Sequence, residues 1–132
     1  MARPEDIFAT EFQAGLLGVS AEPEKIENRV NLGTPDQLVG IGDQLVLVEL
    51  KVVSSGRKVK LRPHQVSFLV RHGRKGRLCW IFVKVIQGER YLLFHGRDAI
   101  DVLDHGIDHP PVAQWQSRVD WGALAGQLTG KI

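Results

Sequence analysis

A single cysteine, Cys79, rules out an internal disulfide. Its setting, Leu78-Cys79-Trp80-Ile81-Phe82-Val83, predicts a packed strand residue and not a reactive thiol. The chain has no run of about 18 apolar residues, which excludes a helix that spans a bilayer. Met1-Ala2-Arg3-Pro4-Glu5-Asp6 has no apolar h-region of a secretory signal, so a cytoplasmic protein without a membrane partner is expected. Repeats and low-complexity tracts are also missing. With 132 residues, 43% of them apolar, the chain can bury one core but not two, which predicts a single domain.

Negative charge is missing from one long stretch. Between Glu49 and Glu89 there is no acidic residue, yet ten of the seventeen basic ones lie there: Lys51, Arg57, Lys58, Lys60, Arg62, Arg71, Arg74, Lys75, Arg77 and Lys84. A net charge of +2 conceals this block, and the remainder of the chain is acidic. Such a block suits the flanking phosphates of a phosphodiester substrate. The turn Arg71-His72-Gly73-Arg74-Lys75-Gly76-Arg77 lacks the Gly-Lys-Ser/Thr ending of a nucleotide-binding loop, so it reads as phosphate-backbone contact. His64 is a further phosphate contact of the same kind.

At the head of this block stands Leu45-Val46-Leu47-Val48-Glu49-Leu50-Lys51. Its apolar start suits a strand buried on both faces, and residues two apart on a strand share a face, so Glu49 and Lys51 point the same way. Charge in such a place is costly unless paired or bound to metal. Asp36 follows a Gly33-Thr34-Pro35 turn, and a hairpin through Gly40-Ile41-Gly42-Asp43 would return the chain beside it. Two hard carboxylates with open positions suit magnesium or manganese. A lysine there can orient an attacking water or neutralise charge on a pentavalent phosphorus.

Gly33-Thr34-Pro35-Asp36, Val48-Glu49-Leu50-Lys51 and Leu61-Arg62-Pro63-His64-Gln65 together resemble the PD-(D/E)XK nuclease superfamily, nearest its virus-type replication-repair (VRR-NUC) and Holliday-junction resolvase group. The resemblance covers roughly residues 5–96 and leaves the tail after about 97 without support. It implies that Asp36, Glu49 and the backbone carbonyl of Leu50 bind Mg2+ or Mn2+, that Lys51 is catalytic, and that Gln65 positions water or DNA. It also implies an acidic residue on the first helix; Glu11 fits, with Glu27 as its competitor.

Patterning supplies the organisation. Ile7, Phe8, Phe12 and Leu16 recur at helical spacing after Pro4 and before Gly18, predicting an amphipathic helix over residues 5–17. Strands are expected over 25–31, 36–41 and 44–51. A basic loop, Ser54-Ser55-Gly56-Arg57-Lys58, mobile until DNA binds, would then lead into a helix from Pro63 to about 71 or 72 that stops at Gly73. Gln65 lies in the first turn of that helix, at the positive end of its dipole. Strands over 78–86 and 91–94, a short helix over 97–103, and a final helix carrying Trp115, Trp121, Leu124 and Leu128 complete the chain. Asp101, Asp104, His105, Asp108 and His109 have a His-x3-His spacing, but Gly106 and Pro110-Pro111 break the continuous helix that zinc would need.

The expected fold is therefore α/β: a restriction-endonuclease-like α-β-β-β-α-β core with a central mixed sheet and a small C-terminal helical appendage. The expected activity is metal-dependent DNA endonuclease on branched DNA such as a Holliday junction, carried out by a homodimer whose contact surface includes the tryptophan-bearing tail, in a host cytoplasm if the gene is a phage's. Two rivals are a recombination exonuclease and a non-catalytic DNA-binding module. The exonuclease's Gln-x3-Tyr signature has Leu69 in the tyrosine position here.

Overall fold

The computed structural model describes residues 2–26 and 33–130. Its chain order is α1 (Pro4–Leu17), β1 (Glu22–Lys25), β2 (Gln37–Ile41), β3 (Gln44–Val53), α2 (Pro63–Arg74), β4 (Cys79–Val85), β5 (Arg90–His95), α3 (Ala99–His105), β6 (Ala113–Gln116) and α4 (Trp121–Leu128). The six strands form one mixed sheet in sequence order. All neighbours are antiparallel except β3 and β4, which run parallel across the α2 connection.

Both sheet faces are covered, as the continuous apolar runs of β3 and β4 require. On one face Phe8, Phe12 and Leu16 of α1 and Leu124 and Leu128 of α4 pack on Val46, Val48, Leu50, Trp80 and Phe82. On the other, Leu69 and Val70 of α2 and Ala99 and Val102 of α3 pack on Ile81, Val83, Leu92 and Phe94. Alternation along β3 thus puts Leu50 in the first core and turns Glu49 and Lys51 toward α2. The β2–β3 hairpin turns at Gly42-Asp43, where Gly42 takes a φ of 59° that a side chain would resist. Cys79 is buried and its thiol is pushed up to about 11 by burial, as expected of a packed, inert cysteine.

Several expectations change. Ile7 is 52% exposed, so the buried stripe of α1 is Phe8, Phe12 and Leu16 alone. The first strand is Glu22–Lys25; most of the expected 25–31 strand, and Glu27 with it, lies outside the described residues. Gly73 does not stop α2. It sits inside the helix, buried, where a Cβ would collide with the backbone of Arg97, and the helix runs on to Arg74, with Lys75 as its cap before Gly76 at φ 77°. Glycine here permits close approach of two backbones. Trp115 belongs to β6, an edge strand paired with β5, and not to the final helix. Both Trp115 and Trp121 pack against the chain's own first core.

The basic loop between β3 and α2 is fastened at several points. Val59 and Leu61 are buried in the second core, the N–H of Ile107 donates to the carbonyl of Arg57 at 2.9 Å, and Arg57 pairs with Asp108 at 3.1 Å. These contacts argue against a loop that waits for DNA to order it.

Candidate active site

Asp36 immediately precedes β2, and its Oδ1 accepts a hydrogen bond from the backbone N–H of Leu50 on β3 at 3.1 Å. That bond ties the turn carrying one carboxylate to the strand carrying the other. Glu49 is only 4% exposed. Its Oε2 accepts from Gln65 Nε2 at 2.9 Å and lies 3.3 Å from Lys51 Nζ. Lys51 Nζ also donates to Gln65 Oε1 at 3.1 Å, and that oxygen accepts from the backbone N–H of Arg62 at 3.0 Å. Gln65 therefore caps the first turn of α2 and grips both charged residues of β3.

Burial pushes Glu49 up to about 7, helped by the charge of Asp36 and opposed by Lys51. Asp36 is also raised, chiefly by burial, against the Leu50 N–H and Lys51. Two carboxylates held in low dielectric beside one ammonium are short of positive charge. An oxygen-only donor set with that deficit fits a hard divalent cation such as magnesium or manganese.

These residues line a cavity of about 770 Å³. Asp36, Glu49, Leu50, Lys51 and Gln65 share its wall with Lys60 and Arg62 from the basic loop, with Arg3 just before α1, and with Glu5 and Asp6 in its first turn. The expected residues Asp36, Glu49, Leu50, Lys51 and Gln65 are thus brought together. Glu11 is not among them. Its carboxylate receives Lys84 Nζ at 2.9 Å and the Tyr91 hydroxyl at 2.6 Å, and that hydrogen bond, second to burial, holds the Tyr91 phenol far above its ordinary range. The helix-1 carboxylates at the cavity are Glu5 and Asp6. Helical phase shows which side a residue is on but not which end of the helix meets the site, and the only signal for these two was an acidic pair directly after Pro4.

The remaining basic residues spread along the loop and α2. Lys58 is exposed, and Arg57 is engaged with Asp108. His64, Arg71, Arg74 and Lys75 are exposed on α2 and its C-terminal cap. In the tail, Asp98, Asp101 and His109 bring ligand atoms within 4.8 Å of one another, a group that could coordinate a divalent metal. The His-x3-His spacing does not produce it, because His105 is not a member, and none of the three lines the cavity of Asp36 and Glu49.

No protein-family model matches the sequence, and no curated protein matches it. Among solved structures the chain is similar to a Holliday junction resolvase from the archaeal hyperthermophile Archaeoglobus fulgidus, with a TM-score of 0.56 and 17% identity over 70% of this chain and 77% of that one. It is also similar to a bacterial homing endonuclease, with a TM-score of 0.51 and 13% identity over 98% of this chain and 96% of that one. The shared fold is a mixed α/β, restriction-endonuclease-like core with a central sheet and peripheral helices. The second similarity spans nearly the whole chain, so it takes in β6 and α4 as well as the core. Among the described residues no helix is long and apolar enough to cross a membrane.

Proposed function

We propose that this chain is a metal-dependent deoxyribonuclease of the PD-(D/E)XK type that hydrolyses phosphodiester bonds in branched DNA, with Holliday junctions as the favoured substrate. The observation that carries the reading is the meeting of Asp36, Glu49, Lys51 and Gln65 in one cavity, on a fold shared with nucleases. Asp36, Glu49 and the carbonyl of Leu50 would hold the cation, which when bound polarises the phosphoryl oxygen and acidifies the attacking water. Lys51 places an ammonium where charge builds on phosphorus, and Gln65 fixes that ammonium against Glu49. Lys60 and Arg62, on the rim of the same cavity, bind the flanking phosphates.

The similarity to a Holliday junction resolvase supports the favoured substrate, and membership of the VRR-NUC and resolvase branch is part of the same proposal. A junction offers two symmetric cut sites, so paired incision calls for a homodimer. Strand-resecting exonuclease activity is the second reading; Leu69, fully buried, stands where those enzymes carry tyrosine. A catalytically silent DNA-binding module is the third.

Labelled four-way junction, flap, single-stranded and linear duplex DNA, incubated with the protein in magnesium, manganese or EDTA, separate the three readings. Symmetric metal-dependent nicks in the junction are expected. Progressive end degradation would move the assignment to the exonuclease, and binding without cleavage would leave the module. A monomer in sedimentation at micromolar concentration would contradict the homodimer.

A further inference from the structure

On α2 an aromatic pair, Phe68 and His72, stands on the side that adjoins the Gly33 turn. Phe68 is half-buried, the ring of His72 stands 4.2 Å from its ring at a tilt of 38°, and the guanidinium carbon of Arg71 lies 5.9 Å over its face. A side-chain N–H of Arg77 meets His72 Nδ1 at 3.0 Å, a contact only an unprotonated Nδ1 can accept, so the imidazole is neutral there. Its pKa is lowered, first by burial and then by Arg77, Arg71 and Lys75. Two adjacent uncharged aromatic rings among exposed cations, in a stretch with no acidic residue between Glu49 and Glu89, match the combination that binds single strands: π-faces for bases and cations for the backbone.

Position adds to this. Phe68 and His72 lie three and seven residues beyond Gln65, roughly 4.5 and 10.5 Å along the helix axis. With bases spaced about 3.4 Å along a stacked strand, the 4.2 Å between the two rings is about one nucleotide step.

We propose that Phe68 and His72 form a stacking platform for unpaired nucleotides that leave the cleavage centre along α2, with Arg71 and Arg74 on the neighbouring phosphates. This rests on the nuclease reading of the Asp36–Glu49–Lys51 site and narrows its substrate to DNA unpaired next to the cut. The local alternative, a Phe–His pair one helical turn apart that only stabilises α2, has a different consequence. It makes no distinction between single-stranded and paired DNA.

The test is equilibrium binding in EDTA of a single-stranded oligonucleotide containing 2-aminopurine and of a fully paired duplex, with the parent protein, Phe68→Leu and Phe68→Trp. Leucine keeps an apolar side chain against the helix but removes the π-face. The platform predicts that Phe68→Leu loses about 5- to 150-fold in affinity for the single strand and little for the duplex, while Phe68→Trp retains both and quenches the base analogue. Equal affinity of the parent and Phe68→Leu for the single strand would overturn it, as would equal losses on both DNAs. If the nuclease reading fails and the platform stands, no cut appears in magnesium or manganese while the stacking signal persists. If the platform alone fails, cleavage persists without that signal.

Discussion

Gln65 and Glu49 are joined by a 2.9 Å hydrogen bond between the start of α2 and the buried centre of β3. The same amide accepts from Lys51 and from the backbone of Arg62, so one uncharged side chain orients the acid, the ammonium and the helix cap together. On the proposed function, replacing it is expected to affect cleavage and stability together. Gln65→Ala is expected to lose about 1 kcal/mol of folding stability through the missing cap and hydrogen bonds. It should also slow single-turnover cleavage at saturating DNA while leaving DNA affinity nearly intact. Urea denaturation and a kcat-against-KM comparison check the two halves, and a change in KM alone would contradict the positioning role.

The raised carboxylates fix the sign of a pH dependence. Glu49, pushed up to about 7 by burial, keeps a proton in the folded, metal-free protein that the unfolded chain has already lost above its ordinary carboxylate range. Its contribution to stability is full at low pH and disappears as pH rises through about 7. Metal competes with that proton, so manganese binds more weakly at about pH 6 than at about pH 8. In EDTA, Glu49→Gln should unfold at a higher temperature than the parent at about pH 8, with a smaller gap at about pH 6. Thermal denaturation at both values decides it; parallel pH curves for parent and variant would sink the argument.

Glu11 and the acidic pair at the start of α1 should separate cleanly. Glu11→Gln breaks an ion pair with Lys84 and weakens the hydrogen bond to Tyr91, so it is expected to lower stability and leave manganese affinity unchanged. Glu5→Gln and Asp6→Asn, at exposed positions lining the cavity, are expected to leave stability nearly unchanged and weaken divalent-metal binding or cleavage. Calorimetric titration with manganese across the three variants distinguishes the roles. A loss of metal affinity in Glu11→Gln alone would reverse the assignment.

Local pattern carried much of this structure. The β2–β3 hairpin, the shared face of Glu49 and Lys51, and the entry of α2 at Pro63 depend on alternation and turn chemistry within a few residues, and all three stand where the sequence places them. What escaped depends on distant parts of the chain. Gly73 looks like a helix stop until the backbone of Arg97 is seen against it. Trp115 joins a strand only because β5 offers an edge to pair with. Glu11 has the right helical phase, but the axial position of α1 on the sheet puts Lys84 and Tyr91 beside it and brings Glu5 and Asp6 to the cavity.

The central claim is that Asp36, Glu49 and Lys51 form a metal-dependent hydrolytic centre, and the most direct test is single-turnover cleavage of a labelled four-way junction in magnesium by the parent, Asp36→Asn and Lys51→Ala. The account predicts nicks by the parent that EDTA abolishes and that both variants lose, although each variant still binds the junction. Equal cleavage by the parent and both variants, or no cleavage by the parent in either magnesium or manganese, would contradict it.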